Sequence, residues 1–86
     1  MKAYTPDIDL DALEAAALAA TQGDWTRQDF YSSGARRGVD GPDGEVICAS
    51  YGGSGKAANF DHIAASSPAV VLELIRRLRA AEGAMK

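Results

Sequence analysis

The sequence predicts a small α+β domain with an N-terminal helix, an antiparallel β-meander of two or three strands, and two C-terminal helices. Three observations indicate this fold class. An alanine-rich segment near the N-terminus has helical spacing, the middle of the chain is rich in turn formers, and Ala57 to Leu78 returns to helical spacing around one proline. With 86 residues there is room for one small core. We assign residues 1–86 to a single domain, with a mobile lead-in over 1–8 and a frayed tail over 83–86.

The first helix is expected to run from Asp9 to about Ala20. Asp9 or Asp11 can cap its N-terminus, and Glu14 follows Asp11 at the spacing of a capping box. Alanine, which has the strongest intrinsic helix preference, fills half of the segment. An apolar stripe is expected to face another element, and its members are Leu10, Leu13, Ala17 and Leu18.

A first strand is predicted after this helix. Gly23 is expected to take a positive φ, and Trp25 then begins a strand that extends to Tyr31. Alternation along the strand places Phe30 on the face opposite Trp25, although we assign both rings to the core. As the only tryptophan, Trp25 is expected to supply a large share of that core.

The clearest hairpin signal is the turn sequence Gly41-Pro42-Asp43-Gly44. It separates two arms, Arg36–Asp40 and Glu45–Tyr51, that we predict to pair as antiparallel strands. One face of the second arm is expected to meet the helices. The alternating sets are Ile47, Ala49 and Tyr51 on one side and Val46, Cys48 and Ser50 on the other.

Two helices are predicted in the last third of the chain. The ring of Pro68 opposes a helical conformation at Ser67 but fits the first turn of a new helix, for which Ser67 is the natural N-cap. Phe60 is the expected anchor of the shorter helix, and the last helix is expected to end near Ala81. Its apolar arc is wider than one small helix covers, so we expect either the sheet or a second molecule to lie across it. The arc contains Val70, Val71, Leu72, Leu74, Ile75 and Leu78.

Composition and charge argue against several classes of function. The net charge of −3 and the isoelectric point near 4.9 disfavour nucleic-acid binding, which depends on clustered Lys and Arg. No apolar run is long enough to span a bilayer, and the N-terminal sequence lacks the apolar stretch of a signal peptide. We therefore expect no membrane association and a cytoplasmic location. The single cysteine, Cys48, cannot form an internal disulfide.

Three segments of the chain resemble the Ead-like family of small phage and prophage proteins. They are LDALEAAALAATQGDW, the hairpin VDGPDGEVI, and AANFDHIAASSPAVVLELIRRLRAAE. Thr21, Gly23 and Trp25 match the Thr-x-Gly-x-Trp stretch of that family, whereas the residues around Phe60 depart from its pattern. The resemblance implies a phage origin, a bacterial host cell and an accessory role. By analogy with small acidic phage proteins that inhibit host or defence machinery, as anti-CRISPR proteins do, it also suggests counter-defence.

A glycine-rich loop superficially suggests a phosphate-binding loop. That pattern needs Gly at position 50 and Ser or Thr at position 57, where this chain has Ser50 and Ala57, so nucleotide hydrolysis is not expected. A simpler anion site before the following helix is an alternative to a flexible connector. Its residues would be Gly53, Ser54, Gly55 and Lys56.

No catalytic residue, cofactor or metal ligand is predicted. His62 is the only histidine, and its neighbour Asp61 does not face it on a helix. Cys48 lies within a strand among apolar groups, where a thiol is inert.

Candidate interaction residues are arginines and tyrosines. Arg is enriched at protein interfaces, although a solvated helix face balanced by Glu73 would also explain the arginines of the last helix. A pair of exposed tyrosines would form a binding face. The candidates are Tyr31, Arg36, Arg37, Tyr51, Arg76, Arg77 and Arg79.

These features lead to three hypotheses of function. The first is a non-enzymatic accessory protein that binds another protein, such as a host or defence factor. The second is a small-ligand or anion binder that uses the loop 52–56. The third is a structural protein that forms a homodimer through Leu74, Ile75 and Leu78.

Overall fold

A computed structural model describes residues 6–30, 35–52 and 55–84 of the protein and confirms the predicted α+β fold. An N-terminal helix precedes a three-stranded antiparallel sheet, and two helices follow it. The elements are α1 (Leu10–Ala19), β1 (Thr26–Arg27), β2 (Arg36–Asp40), β3 (Val46–Tyr51), α2 (Ala57–Ala65) and α3 (Pro68–Ala84).

The ends of the helices follow from local capping. The carboxylate of Asp9 accepts a hydrogen bond from the Ala12 amide at 3.0 Å and caps α1. The capping box predicted with Asp11 is wrong, because Asp11 and Glu14 instead pair with Arg79 of α3. At the break before α3, the carbonyl of Ser67 accepts the first helical hydrogen bond from Val71 at 3.0 Å, as an N-cap residue should.

The sheet has the order β1-β2-β3, with both pairs antiparallel. The first strand is shorter than the predicted Trp25–Tyr31, since only Thr26 and Arg27 form the ladder, followed by an isolated bridge from Phe30 to Arg36. Between them, the Asp29 carboxylate accepts a hydrogen bond from the Gly38 amide at 3.3 Å, so a side chain takes the place of a backbone carbonyl. Tyr31 lies outside the described residues.

The elements pack as two units. In the sheet half, which comprises the three strands and α2, the helix lies against β1 and β2, and Val39 and Phe60 are buried between them. In the helical half, α1 packs against α3 and buries Ala17 and Ile75. The apolar arc of α3 is therefore partly covered by α1, whereas the sheet, one of the two coverings expected for the rest of the arc, packs against α2 instead.

The two halves are joined near the end of the hairpin. The Thr21 hydroxyl donates to the Glu45 carboxylate at 2.6 Å. Gly23 has the predicted positive φ, 96°, and lies so close to Pro42 that a Cβ would come within 2.7 Å of its ring. This contact fixes the segment after α1 against the turn between β2 and β3.

The molecule is flat and open. Its principal extents are 57 × 39 × 16 Å, and its radius of gyration is 16.0 Å, against about 12 Å expected for a compact chain of this length. Within the described ranges, no helix has the length and apolar character needed to cross a bilayer.

Candidate functional site

The sheet has one face under α2 and one face turned away from it. Arg27 is the cross-strand partner of Val39, and its guanidinium lies 5.7 Å from the centre of the Phe60 ring, so these side chains mark the face under α2. Arg36 is the cross-strand partner of both Phe30 and Tyr51. Since cross-strand partners point to the same side and adjacent residues alternate, this row lies on the opposite side, which we call the outer sheet face (Phe30, Arg36 and Tyr51).

Arg36 is held rigidly at the centre of this face. Its side chain lies over Gly38, where a Cβ would come within 2.6 Å of the guanidinium carbon. One terminal nitrogen donates to the Asp40 carboxylate at 2.6 Å, and the other donates to the Gln28 carbonyl. Only 6% of Arg36 is exposed. The absence of a Cβ at Gly38 is what lets the guanidinium lie flat against the strand.

The charge of Arg36 is locally satisfied. Its hydrogen bonds to Asp40 and, with a smaller effect, to Tyr51 raise the pKa of Arg36 above the usual value, although burial acts in the opposite direction. The guanidinium carbon is also 5.6 Å from the centre of the Phe30 ring, within range of a cation–π contact. Arg36 therefore acts as a fixed, charged plane between two aromatic residues.

The aromatic members of the outer sheet face are exposed. Phe30 is 54% and Tyr51 is 63% accessible. Aromatic rings offer a large contact area with few rotatable bonds, so their ordering on binding costs little conformational entropy. The arrangement has the chemistry of a recognition surface, because it combines rigid rings with a guanidinium whose position is already fixed.

The other predicted arginines do not join this surface. Arg37, the neighbour of Arg36, points to the other side of the strand and donates to the Gly55 carbonyl at 2.6 Å. Arg79 pairs with Asp11 at 2.7 Å and with Glu14 at 3.1 Å across the helical half. The arginines therefore belong to separate places in the fold.

Glu73 balances the remaining two arginines on α3. Arg76 lies 2.6 Å and Arg77 lies 3.5 Å from its carboxylate. The hydrogen bond from Arg76, helped by the charges of both arginines, lowers the pKa of Glu73 to about 2. This is the solvated, charge-balanced helix face that the sequence analysis gave as an alternative.

The predicted anion loop is described only in part. Gly53 and Ser54 lie outside the described residues. Gly55 has a φ of 85° and lies close to the Phe60 ring, and its carbonyl is occupied by Arg37. Lys56 is exposed at the start of α2 and makes no side-chain capping bond. Gly55 and Lys56, the part of the loop that the structure describes, show no convergent donors, and anion binding stays a prediction.

The only histidine and the only cysteine, for which no catalytic role was predicted, lie on different elements. His62 is exposed on α2, and Cys48 is half-buried on β3. Within ranges 6–30, 35–52 and 55–84, no group of three or more His, Cys, Asp or Glu side chains could hold a metal ion.

The sequence analysis missed the positions of two side chains in the sheet half. Phe30 was assigned to the core, yet the alternation of the first strand already placed it with Thr26 and Gln28 on the polar side. Arg27 was not singled out, but it binds Asp29 at 2.6 Å, Asp61, and the Ala57 carbonyl at 3.1 Å beneath α2. Its hydrogen bond to Asp29, ahead of that to Asp61, raises its pKa. Such a role depends on α2 lying over β1, which no local pattern reveals.

Comparisons of the chain with protein-family models, with curated proteins and with solved structures find no match. The resemblance to the Ead-like proteins therefore stays a prediction that depends on the quoted segments alone.

Proposed function

We propose that this protein is a non-enzymatic phage or prophage accessory protein that acts in the bacterial cytoplasm by binding another protein through its outer sheet face. The observation that carries the proposal is the exposure of Phe30 and Tyr51 on either side of the fixed Arg36. The phage setting, and inhibition of a host or defence factor as the consequence of binding, come from the sequence resemblance.

The physical argument is one of preorganisation. Residues that dominate binding energy at interfaces are enriched in Tyr and Arg and are surrounded by contacts that exclude water. Because Asp40 and the Gln28 carbonyl already position Arg36, the partner does not have to order a long side chain. The partner surface that fits is apolar and covers the two exposed rings, because the guanidinium between them already donates to groups of this chain.

The charge distribution favours a protein over a nucleic acid as partner. Arg36 and Arg37 already donate to groups within this chain, and the net charge is −3. Nucleic-acid affinity depends on releasing counterions from phosphates by unpaired cationic groups, and the outer sheet face supplies little of that.

The proposal is tested by affinity capture from bacterial lysate with three forms of the protein: wild type, Tyr51→Ala and Leu18→Ala. Leu18 is a matched control because it is 62% exposed but lies on α1, away from the sheet. We expect a protein captured at a stoichiometric ratio by wild type and Leu18→Ala, with about 30-fold weaker binding to Tyr51→Ala.

Circular dichroism shows whether Tyr51→Ala remains folded. Failure to capture any stoichiometric partner would contradict the proposal. Equal capture by all three forms would contradict the assignment of the contact surface.

A further inference from the structure

The helical half leaves an apolar surface uncovered. We call it the helical face and define it by Ile8, Leu13, Leu74 and Leu78, all of which are exposed. They line a groove of about 220 Å³ between α1 and α3, and Leu10, Val71 and Ile75 complete its lining. Every side chain of this groove is apolar, so water in contact with it gains no hydrogen bond.

The arrangement of α1 and α3 is half of a helix bundle. Arg79 near the end of α3 pairs with Asp11 at the start of α1, so the two helices are antiparallel. Val71, Ile75 and Leu78 recur at intervals of four and three residues, as in the packed seam of a bundle. One side of that seam is filled by α1, and Leu74 remains 59% exposed on the other.

The accessible surface is also larger than that of a compact monomer of this mass. It measures 6294 Å², whereas a compact protein of 9.0 kDa exposes about 4,900 Å². The excess is about 1,400 Å², and a stable protein–protein interface needs about 800 Å² from each partner. A two-fold interface would use the same surface from both chains.

We propose that the helical face binds a second copy of this chain, so that α1 and α3 of two chains form an antiparallel four-helix bundle. Each copy supplies both the groove and the leucines that fill it, which is what an isologous interface requires. The outer sheet faces remain free in this dimer, so it is compatible with the proposed partner binding and does not depend on it.

An anionic lipid surface fits the helical face less well than a second copy does. Asp9, Asp11 and Glu82 line an adjoining pocket that shares Ile8 and Leu10 with the groove, and Arg79 in that lining is paired with Asp11 and Glu14. Those carboxylates would be repelled by acidic headgroups, whereas membrane-surface helices carry Lys and Arg around their apolar side.

The experiment is sedimentation velocity over a range of concentrations with wild type, Leu74→Glu, Leu74→Ala and Leu18→Glu. Wild type is expected to sediment at twice the 9.0 kDa mass of the chain. Leu74→Glu should be a folded monomer, and Leu74→Ala should raise the dimer Kd about tenfold or more. Leu18→Glu places the same charge on an equally exposed leucine that does not line the groove, and it should remain a dimer.

Two further measurements vary the salt concentration and add lipid vesicles. Because the contact is apolar, raising the salt concentration from about 0.1 M to about 1 M should not dissociate the wild-type dimer. The inference is overturned if wild type is a monomer at all concentrations, or if Leu18→Glu dissociates the dimer as strongly as Leu74→Glu does. Binding of the monomer to phosphatidylserine vesicles through Leu74 would also overturn it. If Leu74→Glu is unfolded, the Kd of Leu74→Ala decides. If a monomeric protein captures a partner through Tyr51, the dimer inference is wrong but the proposed function is supported.

Discussion

The sheet half and the helical half differ in where their long side chains lie. In the sheet half, the guanidinium of Arg27 lies over Phe60 and binds Asp29, and on the other face Arg36 lies over Gly38 and binds Asp40. In the helical half, Arg79 pairs with acidic groups at the edge while leucines point outward. Arginines therefore pack against other side chains within the sheet half, whereas leucines are exposed on the surface of the helical half.

This difference shows how arginines can help to stabilise a small sheet within one chain. An arginine has a long apolar stem and a planar head, so it can cover apolar surface while its charge is satisfied at the edge. The sheet half uses two arginines in this way and buries Val39 completely. The helical half has only two helices, and a pair of helices cannot enclose an apolar seam on both sides.

The strongest test of the comparison is Phe60→Ala against Leu74→Ala. Removing the Phe60 ring empties the space between α2 and the sheet and takes away the surface on which Arg27 lies, so we expect a loss of about 3–5 kcal/mol, enough to unfold much of so small a domain. Leu74→Ala should cost less than about 1 kcal/mol in dilute solution, because its side chain is mostly exposed there. Urea unfolding followed by circular dichroism measures both values, and similar losses for the two variants would contradict the contrast between the halves.

Concentration sharpens the same test. If the helical face binds a second copy, unfolding of wild type depends on protein concentration, and Leu74→Ala reduces that dependence. Leu18→Ala changes an exposed leucine outside the groove, so it should keep the dependence of wild type.

The next largest effect is expected from Gly38→Ala. A methyl group there would come within 2.6 Å of the Arg36 guanidinium and displace it from Asp40 and the Gln28 carbonyl. We expect a loss of about 1–3 kcal/mol, as for other insertions of a methyl group into a filled site. Gly83→Ala is the control, since a Cβ at this position of α3 meets nothing within 4 Å and should be neutral or stabilise by up to about 1 kcal/mol. Thermal unfolding of both variants gives the comparison, and a stabilised Gly38→Ala would show that Arg36 is not held as described.

Much of the fold was predictable because its signals are local. Pro68 sets the start of α3 through its own ring, and Asp9 caps α1 through a bond to a residue three positions away. The hairpin turn likewise depends on residues adjacent in the chain. Which helix covers which surface was not predictable, because a periodic stripe shows that a face is apolar but does not identify its partner.

The candidate site was predicted in part. Tyr51 and Arg36 were named, and both belong to the outer sheet face. Arg37 was grouped with Arg36 because the two are adjacent, although adjacent residues of a strand point to opposite sides. Ile75 was placed on the self-association face, but it is buried against α1, so Ile75→Asp would test folding rather than dimerisation. Burial of that kind depends on the long-range pairing of α1 with α3.

The smallest expected effect concerns Glu73. Its ion pairs with Arg76 and Arg77 lie exposed on the helical half, whereas Arg36 of the sheet half is buried. The pKa of Glu73 is lowered to about 2 in the folded protein, chiefly by its hydrogen bond with Arg76, from an ordinary value near 4.5 in the unfolded chain. Between these two values the unfolded chain binds more protons at this site than the folded one, so stability rises with pH through this window and the contribution is fully present above it. Glu73→Gln should therefore flatten the pH dependence of the unfolding free energy between about pH 2 and pH 4.5, and added salt should reduce the difference from wild type because the cluster is exposed. Asp43→Asn removes a carboxylate from the hairpin turn instead of from α3, and an equal flattening by both variants would show that total charge, and not the contact with Arg76, governs the acid response.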